Sequence, residues 1–277
     1  MLLVTAAVLL LVLGLSCLAA PLVAAWLGHG ADEVNLLNRL AAPSWTHPLG
    51  TDELGRDVLV RLLYGGRVSL AVGLCGALTA SLIGTAIGLC AGYVGGQIDA
   101  WLMRVTDLVI ALPLLPLLIV LAALDFGKLG LPGLSSDSGI VRIVIIVALF
   151  GWTTVARLVR GEVLRVKQME YIRASLALGG GHVRIMARHI LPNLAGLVVV
   201  ASALAVGSTI LAESVLSFLG LGIQPPQPSW GNMLSGAQEL MWRAPRLAIA
   251  PGVLIFVSVL AVNLLGDQLQ AHWLRQR

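Results

Sequence analysis

The sequence predicts an all-α, polytopic transmembrane helical bundle of about six spans, and three observations predict it. Hydrophobic residues make up 58% of the chain and charged residues 12%, against about 25% charged in a soluble globular domain. Several apolar runs approach the roughly 20 residues that a helix needs to cross a hydrocarbon core about 30 Å thick. Between two of those runs lies a charged stretch, beginning Glu170-Tyr171-Ile172-Arg173, that lipid would not accept cheaply and that therefore sits outside the bilayer.

The runs can be taken in order. The first covers 2–26. It has no basic region ahead of it, so a cleaved signal peptide is not expected, although small residues near Ala20 and Ala25 keep that alternative open. The second covers 69–93, with Gly73, Gly76, Gly84 and Gly88 set for close helix packing. The third covers 105–124 and holds Pro113 and Pro116. Prolines inside a span imply a kink or local unwinding. The fourth covers 140–156, the fifth 194–212 and the sixth 247–265.

Orientation follows from Lys and Arg in the short loops. The segment 157–193 carries Arg157, Arg160, Arg165, Lys167, Arg173, Arg184 and Arg188, so it is expected on the cytoplasmic side. Parity then places both termini there, including Arg275-Gln276-Arg277, and puts 27–68, 125–139 and 213–246 outside. Arg39, Arg56, Arg61 and Arg67 in the first outer loop reduce the asymmetry.

Inside the basic loop, Met169, Ile172 and Leu176 recur at helical spacing. Gly179-Gly180-Gly181 then reads as a turn, because glycines free the backbone and weaken a helix. A second helical pattern runs from Val183 to Ile190, and Pro192 is expected to close it before the fifth span. Two short helices joined by a glycine corner suit docking into a partner's groove. The alternative is an interfacial helix lying on anionic lipid, but such a helix gains nothing from a break.

Several classes of chemistry lack their residues. No G-x-x-x-x-G-K-[ST] occurs, and the one Gly-Lys pair, Gly127-Lys128, lacks the upstream glycine and the following hydroxyl, so no P-loop holds a nucleotide here. Neither H-E-x-x-H nor G-x-S-x-G is found. Cys17, Cys75 and Cys90 fall in apolar runs without metal-ligand spacing and are expected to be small buried hydrophobes. His182 and His189, seven residues apart, make a poor metal site and are expected as solvated loop residues. The net charge of +4 records topology and is not a nucleic-acid signature. Asp107 and Glu213 sit near span ends, where a carboxylate can reach water, and Asp107 is placed to pair with Arg104 on one helix face. A proton-driven carrier would show ionisable residues deep in its spans, and this chain shows almost none.

Against that background the charged loop resembles the E-A-A-x-x-x-G signature of ABC importer permeases. Arg173-Ala174-Ser175, then Gly179, then Ile190-Leu191-Pro192 carry the match. Arg173 stands where the family has glutamate and Ser175 where it has alanine, so the glutamate's role does not transfer to Arg173; Glu170 lies one turn earlier. The block His47-Pro48-Leu49-Gly50-Thr51-Asp52 through Gly55-Arg56-Asp57 is similar to that of the dipeptide, oligopeptide and nickel permease group. So are Leu216 through Gly222, Pro225, Pro226, Pro228, Ser229-Trp230-Gly231, Gly92-Tyr93-Val94-Gly95-Gly96 with Asp99, and Asn263 through Asp267. The blocks cover most of the chain in order.

The resemblance implies a type I ABC importer permease fold in a single domain, 1–277, and a second-type permease subunit in the plasma membrane. It further implies a second homologous permease, two cytoplasmic ATPases that hold ATP and magnesium, and an extracytoplasmic binding protein. No catalytic, cofactor or metal residue is expected in this chain. Glu170, Arg173, Ala174, Ser175, Gly179, Arg184 and Pro192 would form the ATPase-coupling loop. Gly50, Thr51, Asp52, Gly55, Arg56, Asp57, Gly220, Gly222 and Trp230 would lie at the outer gate or the binding-protein contact, or simply pack the outer loops together. Arg56 is expected to pair with Asp52 or Asp57, and the prolines after Gly222 to form a stiff extended segment. Di- or oligopeptides are the expected cargo, with nickel the alternative in the same group. An intramembrane enzyme and a secondary transporter remain as readings of other classes.

Overall fold

The computed structural model describes residues 2–124 and 139–275, with the side chains of 3–124 and 139–271. The expected outer loop 125–139 and the tail residues Gln276 and Arg277 therefore lie almost wholly outside the described residues. Among the described residues every element is helical, apart from one isolated antiparallel bridge between Thr51 and Asp57.

The elements are α1 (Leu2–Leu18), α2 (Ala20–Leu27), α3 (Val58–Val94), α4 (Gly96–Ala111), α5 (Leu114–Ala123), α6 (Gly139–Val166), α7 (Glu170–Ala177), α8 (His182–Ile185), α9 (Leu191–Phe218), α10 (Trp230–Ala237) and α11 (Arg246–Arg275). Four helical stretches are long and apolar enough to cross a membrane, namely Val58–Val94, Gly139–Val166, His182–Phe218 and Arg246–Ala271. Two bent pairs raise the number to six if each counts as one span: α1 with α2, bent by 51°, and α4 with α5, bent by 85°. The sharper bend falls at Leu112-Pro113, where the proline removes a donor and pushes the residue before it out of the helical region.

The spans read from hydropathy are shorter than the helices. α3 begins at Val58, because the Asp57 side chain accepts a hydrogen bond from Val60 N and caps the helix. At 1.5 Å per residue its 37 residues reach about 55 Å, well beyond a bilayer core. α6 likewise carries on past residue 156 through Arg157, Arg160 and Arg165. The first ten residues of the expected loop are thus a continuation of a span.

Glycine sets the central seam. A Cβ on Gly84 would lie 2.5 Å from Trp152 O, one on Gly88 2.5 Å from Ala156 O, and one on Gly92 2.8 Å from Val163 Cβ. Rising numbers meet rising numbers, so α3 and α6 run parallel with their backbones in close approach. The chain returns between them through α4 and α5, whose Leu118 and Ala122 pack with Ile146 of α6. α9 runs the other way, with Ile210 against Gly73 and Thr209 against Gly76, and α11 turns back along it, with Asn263 against Gly207.

The bundle has two distinguishable ends. At one, residues 28–57 and 219–245 form a cap. There Arg246 Nη2 donates to Leu40 O and Ala41 O at 3.1 and 2.8 Å, and Cys17 of α1 packs with Trp230. At the other end lie α7 and α8. Because α1 runs toward the cap and α11 away from it, both ends of the described chain share the α7–α8 end. Cys17 is buried, as expected; Cys75 and Cys90 are exposed on the outside of α3, a correction, since an apolar run presents its outward face to lipid.

Candidate functional site

The α7–α8 end is built around a glycine corner. α7 ends with Gly179 at φ +81°, while Gly179 N donates to Leu176 O at 3.0 Å and Gly180 N to Ser175 O at 2.9 Å. These are the two bonds of a Schellman ending. A Cβ on Gly180 would lie 2.7 Å from Ser175 O, whereas Gly181 has open space. Two of the three glycines are therefore required, one for its φ and one for close approach.

Beyond the corner the chain departs from expectation at Pro192. That proline does not stop the helix: His182–Phe218 is continuous. A π-turn at Met186–Ile190, with Leu191 N bonded to Met186 O, lies just before the ring. The wider turn takes up the bond and the space that proline denies to an α-helix. His182 meets Tyr93, while the His189 ring lies near the Tyr171 ring.

The corner is anchored below and bare above. Ile172, Ile185 and Ile190 are fully buried against Val159, Val163 and Val166 of α6 and Leu194 of α9. Tyr93 OH bonds His182 Nδ1 at 2.7 Å, and Lys167 Nζ donates to Tyr93 O at 2.5 Å over the same ring. These ties join α3, α6 and α8 at one point. On the opposite side Leu178 is 89% and Val183 75% exposed. Glu170, Arg173, Ala174 and Arg184 are exposed around them, and Ser175 is partly covered. The arrangement is an apolar tip ringed by charge on a short, braced lever.

Two ion pairs tie α4 to the charged turns of α6. Arg160 grips Asp99 with a fork, Nε and Nη2 at 2.5 and 2.7 Å, and Arg157 bonds Asp107. The expected Arg104–Asp107 pair on one helix is not formed; Asp107 reaches across to α6 instead. Neither this cross-helix pairing nor the Tyr93–His182–Lys167 contact could be read from residues so far apart in sequence. The only signal in the sequence is that Tyr93 and Asp99 fall in the Gly92–Asp99 block and His182 in the basic loop.

The cap gathers the other block. Thr51 Oγ1 accepts from Ala41 N at 2.8 Å and donates to Asn38 O; Asp57 caps α3 and bonds His47 Nδ1 at 2.8 Å. Asp52 takes Arg56 Nε at 2.7 Å, the pairing expected for Arg56, while Arg61 reaches Asp32 at 2.9 Å. Gly50 and Gly55 both have φ +75°, and a Cβ on either would strike Ala41 O or Asn35 O. Gly50, Thr51, Gly55, Asp57, Gly222 and Trp230 are buried within this chain; Asp52 and Arg56 are partly covered, and Gly220 is exposed. These residues hold the cap's own loops together. The proline segment is a turn with a cis bond between Pro225 and Pro226, not an extended strut. Glu213 is fully buried, a second correction, because α10 folds over it rather than leaving it to water.

Between the two ends a cavity of about 450 Å³ opens beside the α4–α5 bend, lined by α3, α4, α5, α6 and α9. Its walls are mostly aliphatic, with hydroxyls from Thr153, Thr154, Ser208 and Thr209 and no titratable group.

Comparison with known proteins decides the family. The model of the family described as binding-protein-dependent transport system inner membrane component matches residues 84–276. The chain belongs to that family. The permease is 43% identical over 228 residues to the glutathione transport system permease protein GsiD of Pectobacterium atrosepticum, covering 82% of this chain and 72% of that one. It is 41% identical over 247 residues to the dipeptide transport system permease protein DppC of Bacillus subtilis, covering 87% and 72%. It is 36% identical over 247 residues to the nickel transport system permease protein NikC of Escherichia coli, covering 89% and 85%. It is thus a multi-pass permease subunit of an ABC importer in the dipeptide, oligopeptide and nickel group.

Proposed function

We propose that the permease carries di- or oligopeptides inward, taking them from an extracytoplasmic binding protein, in a complex with a second, homologous permease and two cytoplasmic ATPases that bind ATP and magnesium. The observation that carries the reading is the similarity to peptide permeases over more than four-fifths of the chain. The α7–α8 corner faces the cytoplasm and seats Leu178 and Val183 in an ATPase groove, with Arg173 and Arg184 meeting its rim. Closure of the ATPases pushes the corner; the buried isoleucines and the Tyr93–His182 contact pass that push to α3, α6 and α9 as a rigid-body step. Glu170 stands on the exposed first turn of α7, and the Arg173 and Ser175 departures alter the rim and not the lever. The cap faces outward, where Gly220 and the partly covered Asp52 and Arg56 are the members of its blocks nearest a docked binding protein.

A second reading, nickel or chelated nickel as cargo, is favoured by the relative named for nickel transport. The two are separated by ATP-dependent uptake in a strain lacking the gene, with and without its restoration, using labelled dipeptide and labelled nickel side by side. Restored dipeptide uptake alone is expected. Restored nickel uptake alone overturns the peptide reading, and an ATPase that fails to co-purify overturns the assembly.

A further inference from the structure

Glu213 is a buried carboxyl that the transport scheme above does not use. It lies on α9 within two turns of the cap and is wholly inaccessible to solvent. Its Oε2 accepts from Ser69 Oγ of α3 at 2.9 Å and its Oε1 from Ser217 Oγ at 2.7 Å. Both hydroxyls are themselves acceptors. Ser69 takes Trp230 N, the first amide of α10, at 3.2 Å, and Ser217 takes Ile223 N at 3.0 Å. Trp230 Nε1 reaches back to Leu62 O of α3 at 2.9 Å. One carboxyl thus fastens the first turn of α10, the turn after α9 and the side of α3 to each other. The backbones follow: a Cβ on Gly231 would lie 2.6 Å from Ser214 O, and one on Gly65 3.2 Å from Ser229 C.

The groups that meet Glu213 are hydroxyls, not cations, which is an unusual way to make a permanent anchor. An apolar plug of the same shape would seat α10 more firmly, because a buried carboxyl gives up its hydration. It would also expose bare apolar surface whenever α10 moved. A carboxyl held by serines behaves differently, since water can replace each hydroxyl as the joint opens. Such a joint keeps α10 seated while leaving a lifted state about a few kcal/mol higher, which an external push can reach. There is also room to move: a cavity of about 320 Å³ lies beside α10, bounded by Asp52, Arg56, Arg61, Asn232 and Met233.

We infer that Glu213, with Ser69 and Ser217, is a latch that holds the cap helix α10 seated in the bundle and releases it when the outer end opens. It is a positioning group and touches no cargo. The inference deepens the transport reading and rests on it for the meaning of opening, but the latch has a readout of its own. Cys17 is 3% exposed and packs with Trp230 across Gly66. If α10 lifts, Cys17 is uncovered.

The experiment labels Cys17 with a membrane-impermeant maleimide in native-membrane vesicles opened to both sides, in a Cys75→Ser, Cys90→Ser background that leaves it as the chain's single thiol. Glu213→Ala and the double variant Ser69→Ala, Ser217→Ala are expected to label at least ~10-fold faster than the background, the order of change that follows from losing one to two hydrogen bonds. Glu213→Gln keeps one oxygen acceptor and offers an amide N–H to the other serine oxygen, so it is expected to stay close to the background. Ser202→Ala, which removes a hydroxyl from the same helix away from the cap, controls for general loosening. Unchanged labelling in the alanine variants overturns the latch, and so does equal acceleration by Ser202→Ala. If Glu213→Ala fails to insert, the serine pair decides. In the assembled complex, the alanine variants are expected to hydrolyse ATP without proportionate uptake; an unchanged ratio of uptake to hydrolysis removes the latch from the transport cycle. Should the background chain itself move none of the offered solutes, the transport reading fails while the labelling rates still decide the latch.

Discussion

Two neighbouring glycines do different physical work. Gly179 is glycine because the chain turns through φ +81°, where a side chain costs roughly 1–2 kcal/mol. Gly180 is glycine because Ser175 O stands where its Cβ would go. Gly181 has neither constraint. Gly179→Pro is therefore expected to break the corner, since proline locks φ near −65°, and to lower uptake at least ~10-fold with the protein still in the membrane. Gly181→Ala is expected to transport normally. Uptake assays on variants matched for membrane content check both, and a fully active Gly179→Pro would remove the corner from the coupling path. Arg173 belongs to the same scale: its exposure leaves it available to a partner, while Ile172 beside it is buried and serves only the bundle.

At the scale of elements, the α3–α6 pair is the spine. Gly84, Gly88 and Gly92 recur every fourth residue and let α3 lie on Val155, Val159 and Val163 with backbone contact. Lipid offers no hydrophobic drive for helices to associate, so this close packing has to supply it. Gly88→Val puts a branched side chain where Ala156 O already stands 2.5 Å from a Cβ. A loss of about 3 kcal/mol is expected, the upper end for overpacking. It should appear as a lower melting temperature in detergent, whereas Gly14→Val, facing open space, should leave melting unchanged. The π-turn before Pro192 has the same logic in reverse: a local irregularity lets one helix run unbroken from the corner to the cap.

For the whole molecule, the glycine corner and both ends of the described chain share one end of the bundle, and the cap holds the other. The directions of the helices set this: α1 runs toward the cap, α6 and α11 away from it, and α4–α5 carries the chain back between the parallel α3 and α6. Orientation in the membrane rests on the positive charge of 157–193. Leu178→Cys, in a background without the natural cysteines, places a thiol on the most exposed part of the corner. An impermeant maleimide is expected to label it in inside-out vesicles and not in intact cells. Labelling in intact cells would invert the orientation, and the ATPase assignment with it. The cavity beside the α4–α5 bend lies between the two ends, and its walls carry hydroxyls but no charge.

What sequence alone determined was everything that periodicity, composition and local backbone chemistry can encode. The apolar runs located the helices, the prolines located the bend at Leu112-Pro113, the glycine triplet located the corner, and the ordered blocks pointed to the permease group that the comparisons then bore out. Where the reading went astray, hydropathy could not see past the lipid: α3 and α6 continue as helices through charged turns because caps and cross-helix ion pairs support them outside an apolar window. Pro192 looked like a stop because a π-turn leaves no signature in composition. Only the tertiary structure decided which charges meet. Asp107 with Arg157, Tyr93 with His182, and Glu213 with Ser69, 144 residues away, are choices made by helix packing. The carboxyl that looked able to reach water is sealed beneath α10 because a distant serine, Ser69, carrying the Trp230 amide, arrives beside Ser217 of its own helix.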